Sequence, residues 1–274
     1  MESSLSMEAG NERYKMQFAS EGYTIVRGLL SEPEVGEIKE TFMEMHRQGP
    51  IPGYFAPVSA EESGGDILKQ FPRVMHPHRF NELAKRYMLH PDIMNVLEDL
   101  LEEEPIAAQS MFYFKPPGAR GQALHQDNFY LKVQPGTCIA AWAAIDPSDE
   151  ENGGIMLVPG SHRLDIECPH LADPSVSFSK EEVNVPEGMK VIPSRLNAGD
   201  VLFFNGSVIH GSYPNRSANR FRRSFICHYA GISARQIGQF YNPLYTRDGQ
   251  LLELEGNPDS GPCGSEFGTP AEAH

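Results

Sequence analysis

Around Leu124-His125-Gln126-Asp127-Asn128-Phe129-Tyr130 the rest of this chain can be ordered. His125 and Asp127 are two residues apart, and the runs Met111 to Phe114 and Phe129 to Val133 are aromatic and β-branched enough to predict strands. Residues two apart in a strand leave the same face. An imidazole and a carboxylate side by side suit a cation. One more histidine would complete a set of two His and one carboxylate, which leaves open positions on a metal and suits non-haem Fe(II). The competing explanation of His-x-Asp alone is a hydrogen-bonded histidine beside a surface aspartate.

Downstream of this stretch the sequence breaks into short strands. Gly136 opens the run Cys138 to Ile145, rich in small residues and predicted to be pressed close on both sides. Asn152-Gly153-Gly154 turns into Ile155-Met156-Leu157-Val158, then Pro159-Gly160-Ser161-His162; Arg163 to Lys190 is a polar excursion off the sheet. Val201 to Phe204, with His210-Gly211-Ser212 after it, and Arg222 to Tyr229 complete the strands. Upstream, Gln109, Met111, Tyr113 and Lys115 share one strand face, and Pro116-Pro117-Gly118 ends that strand.

The N-terminal part predicts helices. Gly22 to Arg27 reads as a short strand, and Ser31-Glu32-Pro33-Glu34 is a capping box that starts a helix through Val35, Ile38, Phe42 and Met45. Gly49 to Gly65 is a Pro/Gly-rich loop, long enough for a lid, and Asp66 to Leu101 is mostly helical. Helices first and many evenly spaced strands after them predict a mainly β protein: a double-stranded β-helix, or jelly roll, with helices packed outside. One domain over 1–274 is expected, with loose tails at 1–12 and from about 246.

Composition limits the partners. Lys plus Arg is 23 and Asp plus Glu is 37, a net charge of −14, which argues against nucleic acid or an anionic membrane surface. Cys138, Cys168, Cys227 and Cys263 have no zinc or disulfide spacing. No signal peptide or membrane span is legible, so a reducing cytoplasm is the expected compartment.

Three histidines are candidates for the second imidazole. His162 follows a Pro-Gly turn and His228 sits within the last strand, where loop fixing and core packing explain them. His210 ends a hydrophobic strand before Gly-Ser, where a side chain can face a cavity mouth, and is favoured.

The set His125-Gln126-Asp127, Asn152-Gly153-Gly154, Pro159-Gly160-Ser161-His162, His210-Gly211-Ser212 and Phe221-Arg222-Arg223 resembles the phytanoyl-CoA dioxygenase family of Fe(II)- and 2-oxoglutarate-dependent oxygenases, over about Phe18 to Tyr229. The resemblance implies iron on His125, Asp127 and His210, with 2-oxoglutarate and O2 as cosubstrates. It also implies an arginine clamping the far carboxylate of 2-oxoglutarate. Of Arg216, Arg220, Arg222 and Arg223, the choice falls on Arg222, which shares a face with Ser224; Arg223 then faces the other way. Ser212, Trp142, Gln109 and Tyr113 match positions beside the cosubstrate, and Gln126 points away as a brace.

The implied reaction releases succinate and CO2 and oxidises a substrate C–H. Related halogenases replace the metal carboxylate with a small residue; Asp127 fills that place, so hydroxylation is favoured. The rival classes are a jelly-roll hydrolase or isomerase without 2-oxoglutarate, and a non-catalytic 2-oxoglutarate-binding protein. A small or medium-sized metabolite is the expected substrate, held by Phe129, Tyr130, the Gly49–Gly65 loop and the Arg163–Lys190 excursion.

Overall fold

The computed structural model describes residues 2–258 and 260, with side chains from residue 12 onward. Six helices are α1 (Glu2–Glu21), α2 (Glu32–Gln48), α3 (Ile67–Gln70), α4 (Glu82–Met88), α5 (Pro91–Leu101) and α6 (Asp127–Leu131). The first strands are β1 (Tyr23–Val26), β2 (Val74–Met75), β3 (Pro105–Tyr113), β4 (Gln122–His125), β5 (Ile139–Ala144) and β6 (Ile155–Leu157). Next come β7 (His170–Leu171), β8 (Glu181–Glu182), β9 (Ile192–Pro193), β10 (Val201–Asn205) and β11 (His210–Ser212). The last are β12 (Ser224–Gly231), β13 (Gln236–Gly238), β14 (Leu244–Tyr245), β15 (Leu251–Leu252) and β16 (Glu255–Asn257).

Two antiparallel sheets carry the architecture. The major sheet runs β1-β10-β5-β12-β3-β14-β15 with β2 beside β3, and the minor sheet runs β4-β11-β6-β9. Period-two alternation sorts the major sheet's side chains. Met111, Ala140, Trp142, Ala144, Leu202, Phe204 and Ile226 turn inward and pack with Ile155 and Leu157 of the minor sheet. Phe112, Ala141, Ala143, Val201, Phe203, Phe225 and Cys227 turn outward onto Val35, Ile38, Phe42 and Met45 of α2 and Ile93, Met94 and Leu97 of α5. The alanines of β5 let both layers approach, as its sequence predicts. This is the jelly roll, with the helices outside. No helix among the described residues is long and apolar enough to cross a membrane.

The structure departs from the expectations at several places, among them β2, which crosses the Asp66 to Leu101 segment expected to be mostly helical. The run from Phe129 to Val133 is no strand: Asp127–Leu131 is the short helix α6, whose Asn128 amide donates to the Gly206 carbonyl at 2.9 Å and whose Asn128 Oδ1 accepts from Val133 N. Aromatic content favoured strand locally, and these tertiary hydrogen bonds override it. The polar start belongs to helix α1. The excursion lies along the free edge of β4: Val183 N donates to Leu124 O, and Ser177 Oγ accepts from Ala123 N at 2.9 Å. Finally, the segment from Thr246 carries β15 against β14 and β16 against β13. The remainder of that expected tail, 261–274 with Cys263, lies outside the described residues.

Candidate metal and dicarboxylate site

Strand register brings the two favoured histidines together. His125, the last residue of β4, pairs directly with His210, the first of β11, and their ring centroids are 4.2 Å apart. Each ring is oriented by a backbone carbonyl: His125 Nδ1 lies 2.9 Å from Ala123 O and His210 Nδ1 lies 3.0 Å from Val208 O. Carbonyls only accept, so both Nδ1 atoms carry the proton and both Nε2 lone pairs face inward. Gln122 Nε2, at 3.1 Å, donates to the His125 lone pair.

Asp127 reaches the same point by a different route. Gln126 is extended (φ −124°, ψ 122°), so Asp127 sits beside His125 although it begins α6. Its Oδ1 is 3.5 Å from His125 Nε2, its Oδ2 is 3.6 Å from His210 Nε2, and the three residues' ligand atoms lie within 4.8 Å of one another. Gln126 itself turns away and braces the surroundings, donating to Ser207 O and accepting from Glu167 N, both at 2.8 Å. Burial raises the Asp127 pKa, but His210, His228 and the hydrogen bonds of His125 and His228 outweigh it and hold the carboxyl well below its usual range. Burial pushes His210 down to about 4 against the pull of Asp127, so its imidazole is neutral at pH 7. A neutral His210 imidazole and an ionised Asp127 carboxylate are the protonation states a divalent metal requires of these two groups.

Beside this set lies a concentration of buried cations. Arg73, Lys115 and Arg222 are 5%, 3% and 3% exposed. None forms an ion pair with a carboxylate among the described residues. Lys115 Nζ donates to Ser212 Oγ at 2.7 Å. Arg222 Nε donates to Gly153 O at 2.9 Å, its Nη1 donates to Ser224 Oγ at 2.8 Å, and its guanidinium lies 5.2 Å from the Trp142 ring. Arg73 Nη1 donates to Tyr113 Oη at 3.0 Å, while its Nε and Nη2 have no partner. Burial lowers Arg222 to about 10 and, with help from Arg222, takes Lys115 well below the ordinary lysine value. Buried charge without a counter-charge is costly, so this cradle is complementary to an anion.

Two neighbouring cavities join the halves. One is lined by His125, Asp127 and His210 together with Tyr113, Trp142, Ser212 and Arg222. The other shares Tyr113 and Arg222 and adds Arg73, Lys115 and the apolar walls Phe71 and Phe178. Of the four candidate arginines only Arg222 turns inward. Arg220 binds Asp149 and Glu151 near the surface, and Arg223 grips Asp146 with Nε and Nη2 at 2.6 and 2.8 Å. Gln109 is placed elsewhere: it is fully buried, directly opposite His228 across the β3–β12 pair, and does not line the metal cavity.

Sequence reasoning gave no role to Lys115, Arg73 or Gln122, and it read His228 as core packing. Lys115 stands on the face shared with Met111 and Tyr113, and that pattern was the available signal. His228 stands 3.0 Å from Asp127 Oδ2 through Nε2 and donates to the carboxylate instead of joining the ligand set.

A jelly-roll fold with a two-His, one-carboxylate centre next to an anion cradle defines a mononuclear non-haem iron oxygenase that uses 2-oxoglutarate. The chain belongs to the phytanoyl-CoA dioxygenase family, whose family model matches residues 18–224. It is similar to the zebrafish (Danio rerio) phytanoyl-CoA dioxygenase domain-containing protein 1, 25% identical over 77% of this chain and 87% of that one. A rice (Oryza sativa subsp. japonica) protein, phytanoyl-CoA dioxygenase 1, is 26% identical over 51% of this chain, and the match spans half of its length. Among solved structures, the epimerase SnoN in complex with Fe3+, alpha ketoglutarate and nogalamycin RO shares the fold at a TM-score of 0.66, with 22% identity and 96% of each chain covered. EvdO2 from Micromonospora carbonacea var. aurantiaca, complexed with 2-oxoglutarate, does so at 0.63, with 18% identity over 81% of this chain and 92% of that one.

Proposed function

We propose that this enzyme hydroxylates an unactivated C–H of a small or medium-sized metabolite, with His125, Asp127 and His210 as the iron ligands. The observation that carries the reading is the juxtaposition of that ligand set with three buried cations lacking a carboxylate partner among the described residues. The bound iron supplies the oxidative chemistry, coupling decarboxylation of 2-oxoglutarate to oxidation of the substrate.

The chain's own residues bind, orient and shield. Arg222 offers a planar fork to the far carboxylate of the cosubstrate, and Ser224 and Gly153 O hold that fork in place. The Trp142 face flanks the guanidinium and excludes water from it. Ser212 aims the Lys115 ammonium toward the same anion, and Tyr113 turns Arg73 toward the rim. Asp127 supports hydroxylation over halogenation, because its carboxylate fills the position that halogenases leave to chloride. A metabolite is favoured over a nucleic acid by the net charge of −14.

The test is succinate formation from 2-oxoglutarate by the purified protein under O2, with and without Fe(II). Succinate release should require Fe(II) and disappear in His125→Ala and His210→Ala, with the thermal unfolding transition retained. Release that persists in either variant sinks the ligand assignment.

A further inference from the structure

We infer that His228 is a positioning residue for the metal centre: its Nε2–H holds Asp127 Oδ2, so that Asp127 meets the metal through Oδ1 alone. The inference rests on the ligand assignment proposed above. His228 Nε2 lies 3.0 Å from Asp127 Oδ2, closer to that oxygen than His210 Nε2 at 3.6 Å, whereas Oδ1 faces His125 Nε2 at 3.5 Å. An ionised carboxylate only accepts, so the proton of this hydrogen bond belongs to the imidazole. Oδ2 is thereby held by His228, while Oδ1 is turned toward His125.

The placement of the two partners explains why the carboxylate needs this hold. Asp127 opens a five-residue helix and has no place in a sheet ladder. His228 lies in β12, flanked by β3 on one side and β5 on the other, and is wholly buried. The β12–β3 register shifts between His228 and Tyr229. Such bulges re-aim side chains next to active sites. The hydrogen bond thus ties a ligand carried by the short α6 to the most firmly bonded part of the major sheet. Supports of this kind around metal ligands typically change affinity by roughly 10–100-fold when removed. Without His228, Asp127 would lose the hydrogen bond that fixes which way its carboxylate faces, and it would hold a metal less firmly.

The experiment compares His228→Leu, His228→Gln and Asp127→Ala with the wild-type chain, using Co(II) as an oxygen-inert probe. Titration gives the affinity, and the cobalt d–d absorption reports the coordination without any turnover. His228→Leu should bind Co(II) roughly 10–100-fold more weakly and show an altered band pattern. His228→Gln, whose amide Nε2 can donate from nearly the same place, should restore affinity to within about threefold and recover the wild-type spectrum; both predicted effects are of the order set by second-shell supports. Wild-type affinity and spectrum in His228→Leu overturn the proposal. If His228→Leu does not fold, His228→Gln decides alone: wild-type binding and spectrum uphold the proposal, and a loss of tenfold or more, the lower end of that range, overturns it. Asp127→Ala separates the two levels of argument, because wild-type Co(II) binding in that variant removes the ligand assignment itself.

Discussion

The two halves of the site are built on opposite principles. On the metal side the three candidate ligands are each held by the protein: both imidazole Nδ1 atoms lie against carbonyls, and Asp127 is held by His228. On the anion side Arg73, Lys115 and Arg222 are buried with only neutral partners, and two nitrogens of Arg73 have none. The first half is preorganised at little cost in stability. The second stores unfavourable electrostatics that a dicarboxylate relieves on binding. Metal ligation therefore depends on fixed geometry, and cosubstrate affinity depends on charge that the rest of the fold has to tolerate.

Breaking the anion side at its strongest point should give the largest effect that separates the halves. Arg222→Leu is expected to raise the 2-oxoglutarate requirement by at least about 100-fold, because truncating one member of a buried charged pair costs roughly 3–5 kcal/mol. The Fe(II) requirement should stay within about threefold, since second-shell losses of 10–100-fold apply only to groups that touch a ligand. Arg223→Leu is the control. That side chain grips Asp146 on the far face, so the variant should lose thermal stability and keep its 2-oxoglutarate affinity. Titrating 2-oxoglutarate with succinate as readout checks both, and a reversed order would show that the strand faces are exchanged.

A smaller change tests the stored-charge argument through its sign. Lys115→Met removes a buried cation and should raise the cosubstrate-free melting temperature by about 2–4 °C, the shift for about 1 kcal/mol in a chain of this size class. It should also weaken 2-oxoglutarate about tenfold, equivalent to about 1.4 kcal/mol. The pH dependence follows from the lowered lysine pKa. Between the depressed folded value and the ordinary value near 10.4, the unfolded chain binds the extra proton, so wild-type stability rises with pH across that window. The rise relative to Lys115→Met should fade when 2-oxoglutarate is present. Scanning calorimetry over pH measures it, and a variant less stable at every pH would remove the stored-charge account.

The same contrast explains what could be read in advance. His125, Asp127 and His210 are legible because their meaning lies in residue type and spacing: His-x-Asp, then His-Gly-Ser after a hydrophobic strand. Arg222 is legible because it shares a face with Ser224 and its neighbour Arg223 does not. Lys115 is not, because a lysine before Pro116-Pro117 normally reads as solvated, and its burial follows from packing contributed by Gly153 and Ser212, far away in sequence. Arg73 is hidden for the same reason. Asp66 to Leu101 reads as mostly helical, yet β2 crosses it and joins β3, bringing Arg73 to Tyr113. The helix α6 escapes because Phe129 and Tyr130 are good strand formers, whereas the Gly206 carbonyl that fixes the helix is supplied from another part of the chain.

The smallest expected effect lies at Gln109, where the resemblance implies a cosubstrate contact and the geometry points elsewhere. Gln109 is fully buried, both of its side-chain amide atoms lack a partner, and its register partner is His228. His228 Nδ1 also lacks a partner. Gln109 and His228 are thus register partners whose side chains each carry unpartnered polar atoms, with His228 Nε2 turned to Asp127. A residue that acts on His228 belongs to the metal side of the comparison; one that touches 2-oxoglutarate belongs to the anion side. Gln109→Leu distinguishes them. If Gln109 orders His228, Co(II) affinity should fall by about threefold, below the 10–100-fold of a direct support, and 2-oxoglutarate affinity at saturating metal should not move. Stability should hold or rise slightly, because a buried amide without partners gives way to an apolar side chain of similar volume. A selective loss of 2-oxoglutarate affinity, with Co(II) binding intact, would return Gln109 to the cosubstrate and leave His228 to hold Asp127 without help from β3.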